Sequence, residues 1–274
     1  MQTSASVSQR TTTWTVIITS VAVFMASLDN LVVTMALPSI REHLHASLES
    51  LEWTVNAYTL TFAVLLLTGA TLGERFGRRR MFTLGLAIFT LASAGAALAP
   101  NVNVLVAARA IQGAGGALLL PLSLTILSSA VPANRRGAAL GFWGAMSGLA
   151  VAVGPVVGGA VVEGASWQWI FWLNVPIGIV LVPLAARFLI KSQPAHSRLD
   201  LPGLVLISTG LLGVVFGLVR GNAHGWTSGQ VLGSMIAGAV LLAGFAAWEL
   251  RAPAPMLPLR LFSSRGFTAT NVAS

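Results

Sequence analysis

Leu105-Val106-Ala107-Ala108-Arg109-Ala110-Ile111-Gln112-Gly113-Ala114-Gly115-Gly116 is the stretch on which the fold turns. It opens an apolar run from 104 to 130. As a helix, that run is long enough to cross about 30 Å of bilayer hydrocarbon. Yet it contains a guanidinium. A charge at the bilayer centre costs about 2.5–3.5 kcal/mol on insertion scales, so Arg109 needs a partner or a watery cavity. Leu105, Arg109, Gln112 and Gly113 fall at helical spacing on one face, and that face must look into a bundle of further helices.

Seven other apolar runs surround this one, at 14 to 37, 51 to 72, 81 to 99, 138 to 162, 168 to 190, 202 to 221 and 230 to 249. They predict an all-α membrane protein of eight spans, with a ninth beginning near Phe267. The composition agrees. The 274 residues are 55% apolar and 9% charged, and the mean hydropathy is +0.81, which excludes a soluble globular fold. The first run is too long for the apolar region of a signal peptide and continues through Asp29 to Pro38 without a small-residue cleavage site, so it is expected to be a retained span. There is no Cys, which excludes disulfides, thiolate metal sites and a Cys nucleophile.

The net charge of +8 does not point to nucleic acid, because the cations occupy short breaks between apolar runs rather than one face of a soluble domain. They read as topology. A cytoplasmic N-terminus places Arg10, Arg75, Arg78, Arg79, Arg80, Arg135, Arg136, Arg187, Lys191, Arg198, Arg251, Arg260 and Arg265 inside, and leaves only Arg41 and Arg220 outside. Trp14, Trp53, Trp167, Trp169, Trp172, Trp226 and Trp248 lie near predicted span ends, where interface anchors belong.

Asp29 is the acidic residue deep in a span. With the first span running outward and the fourth inward, it lies about 10 Å below the outer surface and Arg109 about 8 Å below it, at the helical rise of about 1.5 Å per residue. Equal depth allows a pair. Such a pair is either a fixed internal ion pair that orients helices or a proton switch, with Asp29 ionised while paired and neutral once proton or substrate competes. The second reading is preferred here.

Two further patterns stand out. The turn Gly73-Glu74-Arg75-Phe76-Gly77-Arg78-Arg79-Arg80 has glycines that permit a tight reversal. Glu74 reads as half of a local charge network, and Arg79 and Arg80 as headgroup anchors. The fifth span carries Gly141, Gly144, Gly148, Gly154, Pro155, Gly158 and Gly159, where small residues let helices approach closely and Pro155 bends the chain. Enzyme chemistry is not expected. His43, His45, His196 and His224 lie in loops or span ends, no His-Glu-x-x-His occurs, and no deep carboxylates are paired, so neither a metal nor a cofactor is called for.

Together these motifs resemble the major facilitator superfamily, and within it the drug:proton antiporters of fourteen spans. Leu28-Asp29-Asn30-Leu31-Val32-Val33-Thr34-Met35-Ala36-Leu37-Pro38 is similar to the signature of that family's first span, with Leu31 and Met35 standing where Thr and Asn are usual. Leu72, Glu74, Arg75, Gly77, Arg78 and Arg79 resemble the superfamily's loop motif, departing from it at Ala70 for Gly and at Glu74 for Asp. Arg109, Gln112 and Gly113 match its R-x-x-Q-G motif, and Gly154, Pro155, Gly158 and Gly159 match the antiporters' G-P-x-x-G-G. Trp167-Gln168-Trp169-Ile170-Phe171-Trp172-Leu173-Asn174-Val175-Pro176-Ile177-Gly178 is similar to the start of the sixth span, with Gln168 for the usual Arg.

The resemblance implies a cytoplasmic tail at 1–13, a six-helix bundle of two inverted three-helix repeats at 14–190, two linker spans at 191–249, and at 250–274 a loop and the start of a further span. It implies proton-coupled efflux of small lipophilic or cationic compounds through Asp29 and Arg109, with lipid, protons, a small-molecule substrate and a missing six-span second half as partners. Asn56, Trp143 and Met146 stand as candidate cavity residues. The rivals are a facilitator importing a small metabolite and an inactive truncated remnant.

Overall fold

The computed structural model describes residues 9–192 and 200–252, apart from the side chains of 222–224. The expected ninth span, the 253–274 loop, most of the N-terminal tail, and Arg198, Arg260 and Arg265 lie outside the described residues. The described helices are α1 Gln9–Leu44, α2 Leu48–Phe76, α3 Arg78–Ala97, α4 Val102–Ala130, α5 Ala133–Gly164, α6 Trp169–Trp172, α7 Asn174–Phe188, α8 Leu201–His224 and α9 Gly229–Glu249. With α6 and α7 taken as one span, eight helical spans are long and apolar enough to cross a membrane.

Most helices outrun their apolar stretches. Once a helix is nucleated, polar ends continue it past the hydrocarbon until a cap or a breaker stops it. Ser47 caps α2 by accepting from Ser50 N–H at 3.2 Å, and Asn101 caps α4 through Val104 N–H at 3.0 Å. The α2–α3 reversal is made at Gly77 alone. Its φ of 97° belongs to glycine, and its N–H returns to the Gly73 carbonyl at 3.0 Å.

The sixth span runs as one helical stretch from Trp169 to Phe188. Leu173, at the joint of α6 and α7, keeps helical angles of φ −56° and ψ −35°, and its N–H reaches the Trp169 carbonyl at 3.0 Å. Pro176 has no N–H to return to the Trp172 carbonyl, so one bond of the ladder is missing there.

The chain divides into two compact units, residues 1–195 and 196–274. In the first, α1 packs on α5 as α2 packs on α4, and α3 packs on α4 as the α6–α7 span packs on α1. Exchanging spans one to three with spans four to six maps this pattern onto itself, which is the packing of two inverted three-helix repeats. The core lies between the repeats. One apolar cluster centres on Val32, Leu105, Trp167 and Phe171, and a second on Met25, Phe82, Phe89 and Leu119. The outer surface is also apolar. Leu91 and Val156 are each 72% exposed, as side chains facing lipid are. In the second unit α8 packs against α9. Asp200 caps α8 through Gly203 N–H at 3.0 Å and accepts the Trp248 indole N–H at 2.8 Å.

Trp167 departs from its expected place at the interface. It is fully buried, edge-on to Phe171 at 6.2 Å. Its place at a span end did not reveal that it joins the apolar cluster of Val32, Leu105 and Phe171.

Candidate functional site

Four helical spans and the backbone of a fifth converge on Asp29. The residue sits on the inner face of α1 with neighbours Leu28, Val32 and Val33 buried around it. Its carboxylate accepts from the Arg109 Nη1 of α4 at 2.5 Å through Oδ2. Through Oδ1 it accepts from Gln112 Nε2 at 2.8 Å and from Asn174 Nδ2 of α7 at 2.7 Å. Both charged side chains have zero solvent exposure.

The i, i+3 spacing of Arg109 and Gln112 lets the amide serve both charges, since Gln112 Oε1 accepts from Arg109 Nη1 at 2.8 Å while its nitrogen reaches Asp29. The guanidinium is held on three further sides. Its Nε donates to the Thr54 carbonyl of α2 at 3.1 Å. Its carbon lies 4.4 Å from the centre of the Tyr58 ring and 5.9 Å from that of Phe171, the geometry of cation–π attraction. Its Nη2 is buried without a hydrogen-bond partner. Gly113 makes the closeness of α2 and α4 feasible, because a Cβ there would meet the Tyr58 carbonyl oxygen at 2.4 Å.

Asn174 uses both amide hydrogens, the second going to Ser93 Oγ of α3 at 3.0 Å. Ser93 in turn donates to the Phe171 carbonyl of the sixth span at 2.9 Å. The sequence reading brought Asp29, Arg109 and Gln112 forward but missed Asn174, Ser93, Thr54 and Tyr58. Asn174 had a usable signal as an amide in an otherwise apolar span. Ser93 and the Thr54 carbonyl had none, because hydroxyls and backbone groups are common in spans.

The other expected residues lie apart from this cluster. At the α2–α3 turn, Arg78 pairs with Glu74 at 2.8 Å, and its N–H donates to Ser192 Oγ at 2.8 Å. Arg79, expected only to anchor headgroups, also donates to the Leu189 carbonyl at the end of α7, at 3.3 Å. On α5, Gly154 and Gly158 lie against Leu31 and Met35 of α1, whereas a Cβ at Gly141, Gly144, Gly148 or Gly159 would meet nothing within 4 Å. Pro155 faces outward on the same helix.

Asn56, Trp143 and Met146 are half-buried. Trp143 donates to Ser123 Oγ at 3.1 Å. None of the three lines the cavity of about 690 Å³ beside Arg41, His45 and Glu52, or that of about 510 Å³ beside Thr12, Asn134 and Arg135. Among the described residues no group of His, Asp and Glu is placed to hold a metal ion.

Comparison with known proteins agrees with this architecture. The family model of the Major Facilitator Superfamily matches residues 19–273. The tetracenomycin C resistance and export protein of Streptomyces glaucescens is 37% identical over 262 residues, covering 94% of this chain and 48% of that protein. The cephamycin export protein CmcT of Amycolatopsis lactamdurans is 41% identical over 268 residues, covering 96% of this chain and 55% of that protein. The chain thus spans about half the length of the curated relatives it matches. Among solved structures, the POT family transporter PepTSo superposes with a TM-score of 0.59 at 14% identity, over 86% of this chain and 52% of that one, a likeness of fold.

Proposed function

Because the chain belongs to the Major Facilitator Superfamily, we propose that it forms the first half of a proton-coupled exporter of small lipophilic or cationic compounds, of the fourteen-span antiporter kind. The observation that carries this reading is the Asp29–Arg109 pair, dry and enclosed by apolar helices. Taking two such charges out of water costs several kcal/mol per ion after relaxation, so the pair is weak evidence for a purely stabilising role. Relatives named for resistance and export support the direction of transport.

The chemistry is protonation of a carboxylate. While Asp29 is ionised, it holds α1 to α4 and α7 through three charge-assisted donors. A proton on either oxygen removes the charge that Arg109 balances. Arg109 then keeps the Thr54 carbonyl, the Gln112 oxygen and the Tyr58 face, so it stays solvated by protein while α1 is released. Loading and release of that proton on opposite sides of the membrane would couple rocking of the two halves to the gradient. In this reading the N-terminus is cytoplasmic, as the cation distribution requires, and the α2–α3 turn faces the cytoplasm. The chain belongs to a family of membrane transporters, and its site is read as moving a solute rather than transforming one.

The test is Asp29→Asn in the transporter that carries this segment, assayed in inverted vesicles energised by a pH gradient. Gradient-driven substrate movement is expected to be lost while substrate binding persists. Wild-type coupled efflux in this variant would refute the assignment, and gradient-independent uptake in the opposite direction would favour an importing facilitator.

A further inference from the structure

The chain of hydrogen bonds leading away from Asp29 has a definite polarity. Phe171 C=O accepts from Ser93 O–H, Ser93 Oγ accepts from Asn174 N–H, and the other Asn174 N–H goes to Asp29. The amide orientation is fixed by the carboxylate, since turning it over would aim the amide oxygen at a negative charge. A protonated Asp29 reverses that demand. Its O–H becomes a donor and needs an acceptor where Asn174 now presents a donor.

We infer that Asn174 is the positioning residue that converts the charge state of Asp29 into a change of hydrogen bonding at the Phe171 carbonyl of the sixth span, resting on the proposed role of Asp29 as proton carrier. When the proton arrives on Asp29 Oδ1, the Asn174 amide turns over. Its Oδ1 accepts from the new Asp29 O–H and, on its second lone pair, from Ser93 O–H. Ser93 makes that bond by rotating its hydroxyl away from Phe171. One proton is gained at Asp29 and none moves elsewhere; the Ser93 hydroxyl is withdrawn from the Phe171 carbonyl, which keeps the Leu173 N–H, and the two Asn174 N–H groups leave Asp29 and Ser93 for the side the amide oxygen held. That carbonyl lies in α6, just ahead of Pro176, which removes one bond of the helical ladder. Ser93 and Asn174 are 0% and 2% exposed, so water does not stand in for either partner.

The groups that titrate or carry charge near Asp29 are few. From α4 it faces Arg109, and from α2 the Tyr58 phenol stacked on that guanidinium. α3 and α7 present Ser93 and Asn174, which do not titrate. The charges of α5 lie at its ends, Arg135, Arg136 and Glu163, and α6 carries none. A pH response of the Phe171 carbonyl therefore reports Asp29.

Infrared titration of the full chain in lipid nanodiscs tests this, with backbone ¹³C=O-labelled Phe and Asp29→Asn to assign the protonated carboxyl band. In wild type, a labelled amide component is expected to shift with the same midpoint as the Asp29 carboxyl band. Ser93→Ala is expected to abolish that shift while the carboxyl still titrates, and Ser93→Thr, which keeps the hydroxyl, to restore it. Asn174→Leu is expected to move the carboxyl stretch to higher frequency, because the amide's hydrogen bond to the carboxyl group is lost. A merely structural Asn174 would leave the carboxyl frequency in place. A titrating Asp29 with a pH-independent Phe band, or a shift that survives Ser93→Ala, overturns the relay alone. An Asp29 that never takes up a proton sinks the proton-carrier reading, and the relay with it.

Discussion

Arg109 illustrates what burial does to one residue. Its guanidinium is enclosed by a carboxylate, an amide, a carbonyl and a phenol ring, and each partner answers a different part of its geometry. Removing the carboxylate or the cation alone strands the other charge in low dielectric. Arg109→Ala is therefore expected to cost about 3–5 kcal/mol of stability, read as a lower midpoint of thermal unfolding in detergent. The double variant Asp29→Asn with Arg109→Gln is expected to recover much of that loss, because both charges go together. Arg109→Lys is expected to behave like a loss rather than a conservative change, since an ammonium cannot span Asp29, Gln112 and Thr54 at once. These two residues were legible in the sequence because a charge inside an apolar run is costly and so stands out. Ser93 was not, because hydroxyls are ordinary in spans; the Asn174 amide stood out in an apolar span, but only the fold brings the two to within 3.0 Å of each other.

Among the elements, α2 and α4 are tied by contact of backbone with backbone. A side chain at Gly113 would meet the Tyr58 carbonyl, which has no rotamer with which to yield. Gly113→Ala is thus expected to part α2 from α4, displace Tyr58 from Arg109 and lower thermal stability. Gly144→Ala, whose Cβ would enter open space, is expected to leave stability unchanged, and the pair can be compared in one melting experiment. At the α2–α3 turn, Gly77→Ala forces an L residue to a φ of 97° and is expected to cost more than about 1 kcal/mol. Glu74→Gln removes a largely exposed i, i+4 pair worth about 0.3–0.5 kcal/mol. A transport defect out of proportion to that small loss would assign Glu74 to transport rather than to folding. Span number was legible from run length alone. The ends were not, because α1 continues past its apolar run, through Pro38 to Leu44.

For the molecule as a whole, the packing of the first unit repeats itself under inversion, and Asp29 lies where both repeats contribute, α1 and α3 from one, α4 and α7 from the other. A charge placed there feels any motion of one repeat against the other. The same symmetry was expected from the family resemblance alone, since the repeats share helical lengths and polarity rather than a recognisable string. What the sequence did carry at this scale was the apolar outer faces that commit the bundle to lipid, and the excess of cations in alternate loops, on which the proposed orientation rests.

The central claim is that Asp29 exchanges its proton for substrate. It is tested most directly by adding substrate to the purified transporter in weakly buffered detergent and recording proton release with a pH-sensitive dye. Release is expected from wild type and none from Asp29→Asn at equal substrate occupancy. Undiminished release from the variant would contradict the account.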